Sequence, residues 1–198
     1  MINHQVEECI LLLKRKGLTV GTAESCTGGM IAKLLTDLPG SSAVFKGGIV
    51  SYTDEVKHNV LGVPQAILDE YGAVSPHVAD AMVRGAKRVL GCDIGLSSTG
   101  LAGPGSDDRG NPVGLVYLGI YTPKEIFVHT LRFDKDTSRE QIRNLSAQYS
   151  IDLLWRYLND LPLERYAERD HGKISRRFRT YRNIWMSGGI SLHSGNEH

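Results

Sequence analysis

The sequence predicts an α/β layered domain built on a mixed sheet. Three observations carry this expectation. Short apolar runs of strand length alternate with helical periodicity through the first half of the chain. Two adjacent strand-like runs, 113–121 and 125–133, then flank the turn Thr122-Pro123-Lys124, so part of the sheet pairs differently from the rest. Turn chemistry falls between the runs, at Gly17, Pro39-Gly40, Ser75-Pro76 and the glycine-rich stretch 100–112.

Taken in order, residues 5–16 place Val6, Cys9, Ile10 and Leu13 at helical spacing, and Gly17 follows as a C-terminal cap. Residues 18–23 read as a buried strand, 24–27 as a polar turn and 28–37 as a helix. A second strand is expected over 43–52, with Gly47-Gly48 marking a bulge or a close backbone approach. Thr53 caps a short helix to about residue 61. Ser75, with Pro76 in the first turn, opens a helix to about residue 90. Residues 93–99 form a third strand. Thr137 and Glu140 have capping-box spacing ahead of a long helix ending near residue 158. The domain is therefore expected over 1–160, with an extension over 161–198.

Composition narrows the function classes. The chain has 198 residues, a formal net charge of +1, 41% hydrophobic and 23% charged residues, as in an ordinary globular protein. Near-neutral charge points to no particular partner. The cysteines are three and scattered (Cys9, Cys26, Cys92), which argues against disulfides and Cys-x-x-Cys metal sites and suits a reducing cytoplasm. The seven histidines form no metal motif, and no apolar run approaches the ~18 residues of a membrane span. Neither a metal nor a cofactor is expected. The extension carries seven Lys/Arg against four Asp/Glu, with Ile174, Phe178, Tyr181 and Trp185 at helical spacing. That pattern suits a surface that meets nucleic acid, a membrane, a partner or its own domain.

In open α/β sheets, ligands gather at the turns after strand C-termini. Two such turns stand out, 24–29 and 100–110. In Glu24-Ser25-Cys26-Thr27-Gly28-Gly29, Ser25 is either a helix cap or a nucleophile, and the Gly28-Gly29 helix start offers N–H groups for a phosphate or an oxyanion. Lys57, with Tyr52 nearby, is either a solvated cation or a base whose pKa a helix N-terminus lowers. The loop from Thr99 through Gly103 to Gly105 lacks the Lys-Ser/Thr end of a P-loop. Arg139 and Arg143 share a helix face, either as solvated charge or as a phosphate clamp.

These segments together resemble the CinA C-terminal domain family, the nicotinamide-nucleotide amidases. The likeness runs through 23–29, Pro39-Gly40-Ser41-Ser42, 48–52 with Lys57, Gly62-Val63, 72–75, 99–105, 112–114 and 139–143, over about residues 5–158. The resemblance implies a three-layer α/β/α domain, often a homodimer. It also implies metal-free hydrolysis of a pyridine nucleotide, nicotinamide mononucleotide, to nicotinate mononucleotide and ammonia. Ser25, Lys57 and Tyr52 match the catalytic positions. Thr27, Gly28, Gly29, Ser42, Thr99, Gly103 and Arg143 match or adjoin positions expected to contact substrate. Some relatives carry a larger nucleotide-hydrolysing domain, whose activity is not expected here. Two alternatives stand beside the amidase. One is a non-catalytic nucleotide-sensing or partner-binding module linked to competence or DNA damage. The other is a metal-dependent hydrolase using Glu24 or Asp54. The loop 105–110 departs from the family form, and the extension has no family counterpart.

Overall fold

The computed structural model describes residues 2–163. The helical spacing read in the extension falls outside those residues.

Helix α1 (Ile2–Lys16) buries the expected stripe of Val6, Cys9, Ile10 and Leu13. It ends at Gly17, whose φ of +64° lets the Leu18 N–H reach back to the Leu13 carbonyl at 3.0 Å. Strand β1 (Val20–Glu24) is buried at all five positions, as expected of a central strand with both faces covered. Helix α2 (Met30–Thr36) starts two residues later than the sequence suggested, because Gly28 and Gly29, at φ of +60° and +95°, belong to the turn.

Strand β2 (Phe45–Val50) pairs parallel to β1, with a register shift between Val20 and Gly21 that skips Lys46. Gly47, at φ +146°, directly follows the skipped residue, so the irregularity falls at the glycine pair where a bulge was expected. Helix α3 (Asp54–Asn59) is capped by Thr53, whose hydroxyl accepts from the Val56 N–H. Helix α4 (Gln65–Tyr71) had no counterpart in the sequence reading: seven residues behind Pro64 are too few to show a period. Helix α5 (Pro76–Leu90), β3 (Ile94–Gly100), β4 (Leu115–Tyr121) and β5 (Ile126–Arg132) follow the expected order. Helix α6 (Arg139–Leu158) is held by a capping box of Ser138 and Gln141, one residue along from the expected Thr137 and Glu140. The two candidate pairs overlap in sequence.

The strands form one five-stranded sheet in the order β2-β1-β3-β4-β5. The first three are parallel and the last two antiparallel. One apolar cluster joins α1, α2 and α6 to a sheet face, and a second places α5 and the 61–68 segment on the other. This is the three-layer α/β/α architecture with a mixed sheet. The packed core runs to Leu163, which is buried in the first cluster. Glycine lets α5 lie close to the sheet: a Cβ at Gly119 would stand 3.0 Å from the Ala79 carbonyl and 2.4 Å from Ser97 Oγ. Among the described residues no helix is long and apolar enough to cross a membrane.

Candidate active site

The connections after β1 and β2 leave the sheet on opposite faces. After β1 the chain enters α2, in the layer of α1 and α6. After β2 it enters α3, and Leu61 just beyond packs into the cluster around α5. Adjacent parallel strands whose connections diverge in this way open a crevice at their C-terminal ends. Ser25 follows β1, Tyr52 follows β2, and Thr99 lies near the end of β3. The crevice is a cleft of about 640 Å³ lined by Ser25, Cys26, Tyr52, Lys57, Thr99 and Gly103, by Arg109 and Arg139, and by the carboxylates Asp54, Asp69, Asp107 and Asp108.

The turn that carries Ser25 is organised by a residue the sequence reading passed over except as a metal ligand. Glu24 ends β1 and is 1% exposed. Its Oε2 accepts from the Thr27 hydroxyl (2.7 Å) and the N–H groups of Gly29 (2.9 Å) and Ile31 (3.0 Å). Its Oε1 accepts from the Thr22 hydroxyl (3.1 Å) and the Ala32 N–H (2.8 Å). A buried carboxylate thus caps α2 from within, where orphan donors and the helix dipole favour a negative charge. The signal was a lone acid closing a wholly buried strand, just before a glycine-rich helix start.

That arrangement corrects the expected role of Gly28 and Gly29. The Gly29 N–H is taken by Glu24, and the Gly28 N–H bonds the Ser25 carbonyl at 3.1 Å. Neither is free for an oxyanion, and neither glycine lines the cleft. Thr27 is fully buried, its hydroxyl shared between Glu24 and Ser98 at 2.6 Å. The same bonds leave no open oxygen on Glu24 for a metal. Among the described residues no group of three or more His, Cys, Asp or Glu is placed to hold an ion.

Arg143 also sits outside the cleft. Its Nε donates to the Cys26 carbonyl and its guanidinium to that of Thr27, both at 3.1 Å, so it braces the turn from α6. Cys26 beside Ser25 is buried, and burial pushes its thiol up to about 12. Ser42 lies in the turn before β2, at the end of the parallel strands opposite Ser25.

Lys57 is among the largest fully buried side chains, at 1% exposure. Burial lowers its amine below the usual lysine range, against the opposing pull of Asp54, whose Oδ1 accepts from Nζ at 3.5 Å. The sequence argument credited the helix dipole. In fact α3 has only six residues and Lys57 lies in its last turn, where a dipole would favour the cation, so desolvation is the cause. Tyr52 is 58% exposed, and its hydroxyl accepts from Arg139 at 3.0 Å.

The far wall is the loop between β3 and β4. Asp107 gathers it by accepting from the N–H groups of Arg109 and Asn111 and from the Asn111 amide. Arg109 donates to the carbonyls of Leu68, Asp69 and Glu70, capping the C-terminal end of α4. The stretch 105–110 is thereby tied to a helix. Thr99 donates to the Ala73 carbonyl at 2.7 Å, and the Gly103 carbonyl accepts from Arg139. The structure therefore brings together Ser25, Lys57, Tyr52, Thr99 and Gly103. It places Thr27, Gly28, Gly29 and Arg143 behind the turn, and Ser42 elsewhere.

Comparison with known proteins agrees with this frame. The model of the CinA C-terminal domain matches residues 3–158. The chain is 50% identical over 146 residues to a CinA-like protein of Desulfotalea psychrophila, covering 74% of this chain and 35% of that one. It is 44% identical over 157 residues to a protein of Caldanaerobacter subterraneus described as competence-damage inducible, covering 79% and 38%. The chain thus spans little more than a third of the length of these curated relatives. Among solved structures, the competence/damage inducible protein CihA of Agrobacterium tumefaciens superposes with a TM-score of 0.75 at 37% identity, over 80% of this chain and 95% of that one. A CinA superfamily protein of Klebsiella pneumoniae does so with a TM-score of 0.77 at 28% identity, over 81% and 99%.

Proposed function

The chain belongs to the CinA C-terminal domain family, and from that premise we propose that it is a serine amidase acting on a pyridine nucleotide. One observation carries the reading: a lysine buried to 1% exposure, its amine depressed by desolvation, lines the same cleft as a serine at a strand-to-helix turn. Burying a lysine amine costs free energy, and perturbed titratable groups of this kind cluster at functional sites.

In the proposed reaction neutral Lys57 takes the Ser25 proton, and Oγ attacks the carboxamide carbon. The Lys57 amine bonds Asp54 in this structure; contact with the Ser25 hydroxyl is one that substrate binding completes, as catalytic bonds often tighten only then. With the Gly28 and Gly29 N–H groups occupied, the oxyanion falls to the backbone N–H of Cys26, the residue that lines the cleft beside Ser25. Protonated Lys57 returns its proton to the departing ammonia. Water, deprotonated by Lys57, then opens the acyl-enzyme and releases the carboxylate. Thr99 and Gly103 contact substrate, Tyr52 orients the amine, and Arg143 with Thr27 holds the turn. The substrate is nicotinamide mononucleotide, and a cytoplasmic homodimer is the proposed working form.

Ammonia release from nicotinamide mononucleotide by the purified protein tests this directly. Binding without ammonia would favour the non-catalytic nucleotide-sensing module instead.

A further inference from the structure

A second concavity lies apart from the cleft and shares none of its lining residues. It is a groove of about 560 Å³ between the N-terminal half of α1 and the middle of α6. Ile2, Leu145, Tyr149 and Trp155 give it apolar surface, and Leu145 is 36% exposed. Apolar surface rimmed by polar residues marks an interaction site. The formal charges of the groove at neutral pH are Glu8 and Asp152; no lysine or arginine is among the described residues that line it. Asp152 is met by Arg156 at 2.8 Å, whereas Glu8 accepts from the uncharged indole of Trp155 at 2.7 Å and keeps its charge for another partner. The described chain leaves the domain beside this groove. Leu163 is buried in the cluster that joins α1 and α6. Arg156 donates both to the Pro162 carbonyl, at 3.5 Å, and to Asp152, so one guanidinium links the chain's exit to the groove wall.

The sequence beyond Leu163 carries the complement of that surface. Ile174, Phe178, Tyr181 and Trp185 recur at helical intervals, with Lys173, Arg176, Arg177, Arg179 and Arg182 set among them. At the helical rise of ~1.5 Å per residue this stripe is about 17 Å long, and the groove runs about 15 Å along α6 from Leu145 to Trp155. Residues 164–173 reach up to about 33 Å, enough to turn back from Leu163 to the groove. We propose that the extension of this same chain packs in the groove, its apolar stripe against Leu145, Tyr149 and Trp155 and its basic residues toward Glu8. Tethering favours this occupant over a second copy, because a short linker holds the segment at an effective concentration of about millimolar. The groove has no residue in common with the cleft, so docking contributes stability and not chemistry. The docking site stands whatever reaction the cleft performs.

Limited trypsin digestion of the full chain tests this, because Lys173, Arg176, Arg177, Arg179 and Arg182 place cleavage sites within the stripe. Cleavage there requires release from the groove, so its rate follows the undocked fraction. Leu145→Asn should speed it on the order of 10-fold through lost apolar contact. Glu8→Gln, which can still accept from the Trp155 indole, should speed it about 3-fold through lost charge pairing. Both variants leave the cleaved sequence intact, and far-UV circular dichroism checks that they stay folded. Phe178→Ser combined with Trp185→Ser should match or exceed Leu145→Asn. A parent extension cut as fast as in all these variants overturns the proposal. So does faster cleavage in the Phe178/Trp185 variant with no change in either groove variant, since the stripe would then pack elsewhere. Protection that fades when the protein is diluted 100-fold (about the range that separates tethered from bimolecular contact) would assign the groove to a second copy and refute docking within one chain. Protection that appears only on adding duplex DNA or anionic vesicles would likewise refute it.

Discussion

Glu24→Gln is the sharpest perturbation of the scaffold. The carboxylate accepts five hydrogen bonds, three at Oε2 and two at Oε1. A glutamine must put its NH₂ at one oxygen position. The less damaging choice is the Oε1 side, where the Thr22 hydroxyl can turn to accept. There the Ala32 N–H still loses its acceptor, and two donors face each other inside the core. A buried donor left unpaired costs about 1–3 kcal/mol. The three bonds at the other oxygen drop from charged to neutral acceptors, at about 0.5–1 kcal/mol each. Relief of the carboxylate's desolvation offsets part of this. The expected net loss is about 2–4 kcal/mol, measured by urea unfolding followed by circular dichroism. Domains of this size hold roughly 5–15 kcal/mol, so the variant should stay largely folded and measurable. Because Glu24 fixes the N-terminal end of α2 and with it the Ser25 turn, ammonia release by the folded fraction should fall as well. A loss below about 1 kcal/mol would mean that the carboxylate does not organise the turn, and the reasoning from its five donors would fail.

Three further outcomes are expected. Ser25→Ala should abolish ammonia release while Cys26→Ala retains much of it, because the Cys26 thiol is buried and pushed up to about 12; the reverse result would move the nucleophile. Activity should rise with pH through the lowered pKa of Lys57, since only the neutral amine accepts a proton, and Lys57→Arg should be inactive at every pH. The same shift has a sign in stability: between the folded pKa and the unfolded value near 10.4 the unfolded chain binds more protons, so stability rises with pH there. Lys57→Met should accordingly be more stable than the parent at low pH, with the advantage shrinking as pH rises, and a constant difference by thermal melting across that window would contradict the shift. Removal of residues 164–198 should leave ammonia release intact, since each cleft residue given a role precedes Leu163; a folded, stable, inactive product would place part of the site in the extension.

The order of the strands was legible because each is a short apolar run closed by glycine, proline or a capping residue. α4 was not, because seven residues cannot display helical periodicity, and its C-terminal end is held by Arg109, 40 residues beyond Asp69. The capping box was misplaced by one residue because Thr137/Glu140 and Ser138/Gln141 satisfy the same spacing. The arginines show what spacing alone leaves open. Four residues apart on α6 they share a face, yet Arg143 meets the backbone of the Ser25 turn and Arg139 lines the cleft. Which of them reaches the turn depends on where α6 starts against the sheet, and the sequence does not record that.

Ser25 and Lys57 come together for a reason that lies in topology rather than in either motif. β1 and β2 are parallel neighbours, so the residues that follow them emerge at one edge of the sheet, although 32 positions separate the two side chains. With α2 on one face and α3 leading to the other, the serine and the lysine approach the same crevice from opposite layers. Lys57 extends from its short helix into packed surroundings, and the lowered pKa of its amine follows from that placement through loss of hydration. A substitution that reopened water to Lys57 should therefore raise its pKa and shift the pH–rate profile upward without touching either partner of the pair. Leu68→Ala is such a change, since Leu68 is 4% exposed and lines the same cleft as Lys57. An unchanged profile in a folded Leu68→Ala protein would show that loss of hydration does not set the pKa of the amine.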